Sequence, residues 1–308
     1  MINRVLIRLK VLQIIYAYYQ NGGKNVEATE KELFYSLSKA YDLYNYLLLL
    51  MVEVTRFADR RIDNRRNKLR PTYEDLNPNT RFIDNAFIAQ LAGNKQLEDF
   101  CNNQKRSWED HSEFVKRLFE KIEASEVYQE YMAKESLTYE DDRELWRKLY
   151  RSVIAQNETI DEILEEQSLY WNDDKAIVDT FVLKTIKRFE PENGAEQELM
   201  PEYKDDEDKE FARKLLRASI ANAEAYRKLM ENNAKNWDME RFAFMDILIM
   251  QVALAEIFAF PSIPVSVSLN EYVEIAKMYS TPKSGSFING MLDSIVSQLK
   301  SENKLNKQ

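Results

Sequence analysis

Glycine and proline are scarce in this chain. Its 308 residues hold 6 and 7 of them, against ordinary usage of about 7% and 5%. Tight hairpins and positive-φ turns must therefore be few, which argues against a fold of many short strands and for long helices. Cysteine and histidine occur once each, as Cys101 and His111. A lone cysteine rules out an intramolecular disulfide and fits a reducing compartment. A lone histidine leaves no imidazole-rich metal cluster, and Cys101, in DFCNNQ, has no histidine placed to activate it. Neither a phosphate-binding glycine loop nor a dinucleotide fingerprint occurs. No catalysis, cofactor or metal is expected. Arg8 and Lys10 interrupt the apolar start, so no signal peptide is expected and the expected location is the cytoplasm.

Charge is abundant, with a formal net value of −9, and bulk electrostatics do not favour nucleic acid. The distribution is uneven. Residues 1–24 carry Arg4, Arg8, Lys10 and Lys24 and no acid. Residues 56–70, RFADRRIDNRRNKLR, hold seven basic and two acidic side chains, whereas 190–210 holds ten acids and two lysines. Pairing of the basic segment with the acidic loop is one expectation; contact of the basic segment with RNA is the other. The most apolar window, 242–260, contains Asp246, Gln251 and Glu256 pointing three ways. A buried core helix fits it better than a membrane span, because a central Asp costs about 3 kcal/mol in lipid.

The pattern along the chain is helical. Val5, Leu9, Leu12, Tyr16 and Tyr19 form a stripe over 3–21, closed by Asn21-Gly22-Gly23. Thr29 and Glu32 suggest the start of a second helix. Without a breaker before Pro71 it could run about 40 residues, or roughly 60 Å. Shorter helices follow, with starts at Ser107/Asp110, Thr138/Asp141 and Thr159/Glu162. A long helix is expected from Asp208 through Tyr226, a break at Asn236-Trp237-Asp238, and a last helix with Ile288, Met291, Leu292, Ile295, Val296 and Leu299 on one face.

Two separated blocks carry a resemblance. One is RVLIRLKVLQIIYAYYQ (4–20). The other, roughly 208–296, contains FARKLLRASI, NWDMERFAFMDILIMQVALAEI, IPVSVSLNEYVEIAKMYS and SGSFINGMLD. Their order and spacing resemble the NusB family of transcription antitermination factors. The resemblance implies an all-α, NusB-like helical double bundle with a large helical insertion in its N-terminal half. The expected division is 1–55 and 206–300 for the bundle, 56–205 for the insertion and 301–308 for a tail. It further implies an RNA-binding factor that takes a boxA-like element of ribosomal RNA leaders jointly with a small-subunit ribosomal protein (NusE), within the RNA polymerase antitermination complex. No membrane is implied.

Site residues follow from the residues and the resemblance together. Arg4 and Arg8 lie one helical turn apart, and paired cations at a helix start suit phosphate. Phe287 lies about 100° from the centre of the last helix's apolar stripe, so its ring could stack on a base. Lys283, Ser284 and Ser286 flank it near a helix N-terminus, where backbone N–H groups can meet phosphate. Arg4, Arg8, Lys283, Ser284 and Phe287 are therefore the candidate RNA contacts. Family members receive the ribosomal protein at positions that match Tyr16 and Asp246. Their bland readings are a core tyrosine and a rim acid satisfied locally.

Two alternatives stand beside this reading. One is a helical protein–protein scaffold without an RNA role. The other is a stand-alone relative of the NusB-like domain of ribosomal RNA cytosine methyltransferases. That activity would require a glycine-rich cofactor domain and a catalytic Cys downstream of SFINGMLD, and neither is expected in the residues that follow.

Overall fold

The computed structural model describes residues 1–104, 107–234 and 242–305. Among these the fold is all-α. Fifteen α-helices are present, together with short 3-10 and π turns and one isolated bridge between Ile2 and Tyr203. The break expected at Asn236-Trp237-Asp238 lies outside the described residues. No helix among the described residues is long and apolar enough to cross a membrane.

The chain forms two compact units, one of residues 2–38 and 203–308, the other of Met1 and 39–202. The divisions fall at 38/39 and 202/203, where the sequence suggested 55/56 and 205/206. Helix α2 (Val26–Arg66, 41 residues) contributes to both. Its start is set by Asn25, whose side chain accepts from the Ala28 N–H at 2.9 Å, and not by Thr29. An Asx cap nearer the first turn satisfies the orphan amides sooner.

The first unit is organised around α13 (Phe244–Ala259), which packs against α1 (Arg4–Gln20), α11 (Asp206–Ala221), α12 (Ala223–Asn233), α14 (Val265–Tyr279) and α15 (Ser284–Ser301). The two sequence blocks thus meet, as α1 lies on both α11 and α13. A helix packed against five neighbours should be largely apolar, and α13 is, except for three polar residues that each reach a different neighbour. Gln251 donates to the Tyr19 hydroxyl and to Ser219 O, both at 2.9 Å. Glu256 faces α1 and α14, and Asp246 faces the start of α15. The middle of α1 is buried all round: Leu6 through Leu12 are all buried, charged Arg8 and Lys10 among them. Its single expected stripe is therefore wrong in part, since Val5 and Tyr16 are exposed. The long helix expected from Asp208 is two, α11 and α12, separated at Asn222 (φ −111°, ψ 15°).

The second unit is built on the remainder of α2. Tyr46 stacks on Trp108 at 4.2 Å, and the Trp108 indole N–H donates to Tyr46 O at 2.8 Å. The Trp171 indole N–H donates to Lys39 O at 2.7 Å. The other helices are α3 (Tyr73–Leu76), α4 (Ala86–Ala92), α5 (Lys95–Gln104), α6 (Ser112–Glu123), α7 (Glu126–Met132), α8 (Tyr139–Leu149), α9 (Glu158–Gln167) and α10 (Lys175–Arg188). Helix α8 packs on α4, α7 and α10 and opens with the expected Thr138/Asp141 capping box. A π turn, Tyr150–Ile154, follows α8, and the Tyr150 hydroxyl donates to Asp179 at 2.6 Å.

Candidate nucleic-acid interface

The N-terminal arginines separate in role. Asn3 caps α1 through the Leu6 N–H at 2.9 Å, which sets Arg4 in the first turn and Arg8 one turn further in. Arg8 is only 4% exposed. Its Nε and Nη2 donate to the two Glu256 oxygens at 2.7 and 2.9 Å, and Nη1 donates to Glu271 at 3.3 Å. Glu256 also accepts from the Ser268 and Tyr272 hydroxyls at 2.7 and 3.0 Å. Burial pulls the Arg8 pKa down, but the Glu256 carboxylate outweighs it and leaves the pKa raised. Arg8 is thus a buried cation held between Glu256 and Glu271 inside the bundle, which does not present it to a phosphate. Arg4 is exposed, but Asp208 lies 3.7 Å away and the Phe211 ring lies under its guanidinium at 5.1 Å.

The start of α15 is different. Lys283 is exposed and Phe287 half-buried, beside an open groove of about 990 Å³ also lined by Phe242, Thr281, Ser286 and Gly290. Phe242 meets Phe287 edge-on at 4.8 Å. The N-cap residue of α15, Lys283, makes no side-chain cap hydrogen bond among the described residues. Ser284 is buried and faces inward. Its hydroxyl donates to Asp246 at 3.0 Å and accepts from the Thr281 N–H at 3.1 Å. Ser284 lines the floor of the groove with its hydroxyl engaged in ordering the helix start.

Asp246 is likewise buried, and it accepts from both Ser280 and Ser284. It lines the floor of the same groove, and its oxygens are engaged by these two hydroxyls. Tyr16, in contrast, is 39% exposed and lies against Phe244, also 39% exposed, with ring centroids 5.8 Å apart. Tyr19 closes the cluster at 6.3 Å from Phe244. Phe242 and Phe244 were not singled out from sequence. Their signal was present as two aromatics just before the polar Asp246 in FAFMD, masked by the apolar run that follows.

A family model described as NusB matches residues 180–297. A transcription antitermination protein NusB from Salinibacter ruber is 37% identical over 132 residues, 41% of this chain and 82% of the relative. That of Geotalea daltonii is 37% identical over 134 residues, 43% of this chain and 89% of the relative. The chain belongs to the NusB family. The relative from Finegoldia magna reaches 43% identity over a shorter stretch of 89 residues. No solved structure matches. The NusB model covers Asp246, Lys283, Ser284 and Phe287 but not Arg4, Arg8, Tyr16 or the basic segment 56–70. It begins inside α10, so the NusB match reaches into the second unit.

Proposed function

We propose that this protein is an RNA-binding transcription antitermination factor. The groove at the start of α15 takes a boxA-like element of a ribosomal RNA leader, and the exposed Tyr16–Phe244 pair receives the small-subunit ribosomal protein NusE. The observation that carries this reading is the exposed Lys283 beside a half-buried aromatic, Phe287, on an open groove. A cation supplies attraction for phosphate, and a ring edge-packed on Phe242 is held in place to stack on a base. Family membership supports the same role. Arg4 adds to the surface only to the extent that an incoming phosphate displaces Asp208.

The test is binding of leader RNA fragments with and without the ribosomal protein. Phe287→Ala should weaken RNA binding by about 1–3 kcal/mol, and Lys283→Ala should flatten its salt dependence by about 0.7 in slope. Tyr16→Ala should weaken the protein partner and leave RNA affinity alone. A wild-type chain that binds no leader RNA in either condition would sink the proposal.

A further inference from the structure

The basic segment 56–70 has partners, but not the acidic loop. Arg56 pairs with Glu53, Arg61 with Glu123 at 2.8 Å, and Arg66 with Asp63 at 3.8 Å. Arg65 and Lys68 share one carboxylate, Asp75, at 2.8 and 3.1 Å. Among the described residues no ion pair joins this segment to 190–210. Between residues 56 and 76 there are seven cations and four acids, in a protein whose net charge is −9. Arg60 and Arg70 are exposed and have no carboxylate partner among the described residues. Cations in the last turn of α2 are the ordinary complement to the helix dipole, which accounts for Arg65 and Arg66 but not for Lys68 and Arg70 beyond the helix end.

The same tip displays apolar side chains to solvent. Leu69 is 98% exposed, Tyr73 76% and Leu76 54%. The tip is nonetheless held. Asp75 is buried, closes a capping box with Thr72 at the start of α3, and clasps Arg65 and Lys68 from the other side. One carboxylate thereby fixes both ends of the turn that carries Leu69 and Arg70.

We infer that this tip is a second contact for single-stranded RNA, with phosphates on Arg60, Arg66 and Arg70 and a base stacked on Tyr73. Six of the seven cations in 56–70 are arginine. Arginine's planar fork suits phosphate oxygens and stacked bases, whereas an anionic membrane surface responds to charge alone. An exposed tyrosine among cations is the pattern that holds single strands without sequence preference. The inference rests on the proposed RNA-binding role, and it adds a contact on a segment that the NusB family model does not cover.

The experiment uses the full chain, a fluorescent single-stranded leader RNA and a salt series. The variant Arg60→Ala/Arg66→Ala/Arg70→Ala should lower the salt slope by about 2, at about 0.7 per phosphate contact. Tyr73→Ala should weaken binding about tenfold. All four side chains are exposed, and unchanged thermal melts will show that the fold is intact. Phe287→Ala serves as the comparison. If it weakens binding while the tip variants change neither affinity nor slope, the tip inference is overturned and the groove stands. If the tip variants act and Phe287→Ala does not, the groove reading falls and the tip stands. A wild type that binds no RNA removes both. Binding to phosphatidylserine vesicles that the triple variant abolishes, with RNA affinity unaltered, would also overturn the inference.

Discussion

At the scale of single residues, a side chain's chemistry was readable in the sequence and its partner was not. Arg8 reads as a helix-start cation, yet the carboxylate that neutralises it lies 248 positions away. Removing one member of a buried, hydrogen-bonded pair strands the other, at about 3–5 kcal/mol. Arg8→Ala and Glu256→Ala should each lower unfolding free energy by that amount in urea titrations, and the double substitution should cost less than the sum. Asp246 makes the same point. Asp246→Asn keeps the shape but leaves one oxygen for two hydroxyl donors, Ser280 and Ser284. A loss of about 1–3 kcal/mol is expected. Unchanged stability combined with weaker binding of the ribosomal protein would return Asp246 to the partner surface. The half-buried edge position of Phe287, by contrast, follows from the period of the last helix alone.

At the scale of elements, what a strong local signal dictated could be read. The last helix buries Ile288, Met291, Leu292, Ile295, Val296 and Leu299, all on the face that its period indicates. The length of α2 followed from the lack of any breaker. The division of α11 from α12 did not, because a lone Asn such as Asn222 is a weak punctuator of a helical pattern. Caps can be tested directly. Thr138→Ala should cost about 1 kcal/mol, seen as a lower midpoint in thermal melts. The α3 box has a pH signature. Hydrogen bonds from Arg65, the Thr72 N–H and Lys68 hold the Asp75 carboxyl well below the usual carboxylate range. Its contribution is therefore complete above an unfolded pKa of about 4 and is lost as pH falls through the lower folded value. Amide protection at Thr72 and Asp75, corrected for intrinsic exchange, should be flat from pH 7 to about 4 and decline below it. Asp75→Asn should be low and flat throughout.

At the scale of the molecule, an aligned stretch covers 41% of this chain but 82% of its Salinibacter relative. Most of what is additional must lie outside the shared bundle. A chain joining Ser38 directly to Tyr203 through a flexible linker tests whether the 39–202 unit is dispensable. Closing a long loop differs little in entropy from closing a short one, so a cooperative melt and retained binding of the ribosomal protein are expected, with a reduced RNA salt slope from loss of the tip. Because the family match starts inside α10, a molten product would show that this helix completes the core, and restoring residues 175–202 should then rescue it. The sequence suggested a first boundary at 55/56 because the resemblance to compact NusB-family members stops there. The structure divides the chain seventeen positions earlier, between Ser38 and Lys39, within a helix that shows no local sign of the division.

The arrangement at Glu256 also constrains how this lineage can drift. Its two oxygens receive donors from α1 and α14 at once. A change at position 8 alone leaves Glu256 without its cation, and a change at 256 alone leaves buried Arg8 with only the partly exposed Glu271. Homologues should therefore either keep both members or have replaced both with apolar side chains, and intermediates carrying one should be rare. Position 4, whose side chain is exposed and paired only with surface acids, leaves no buried charge behind when it changes.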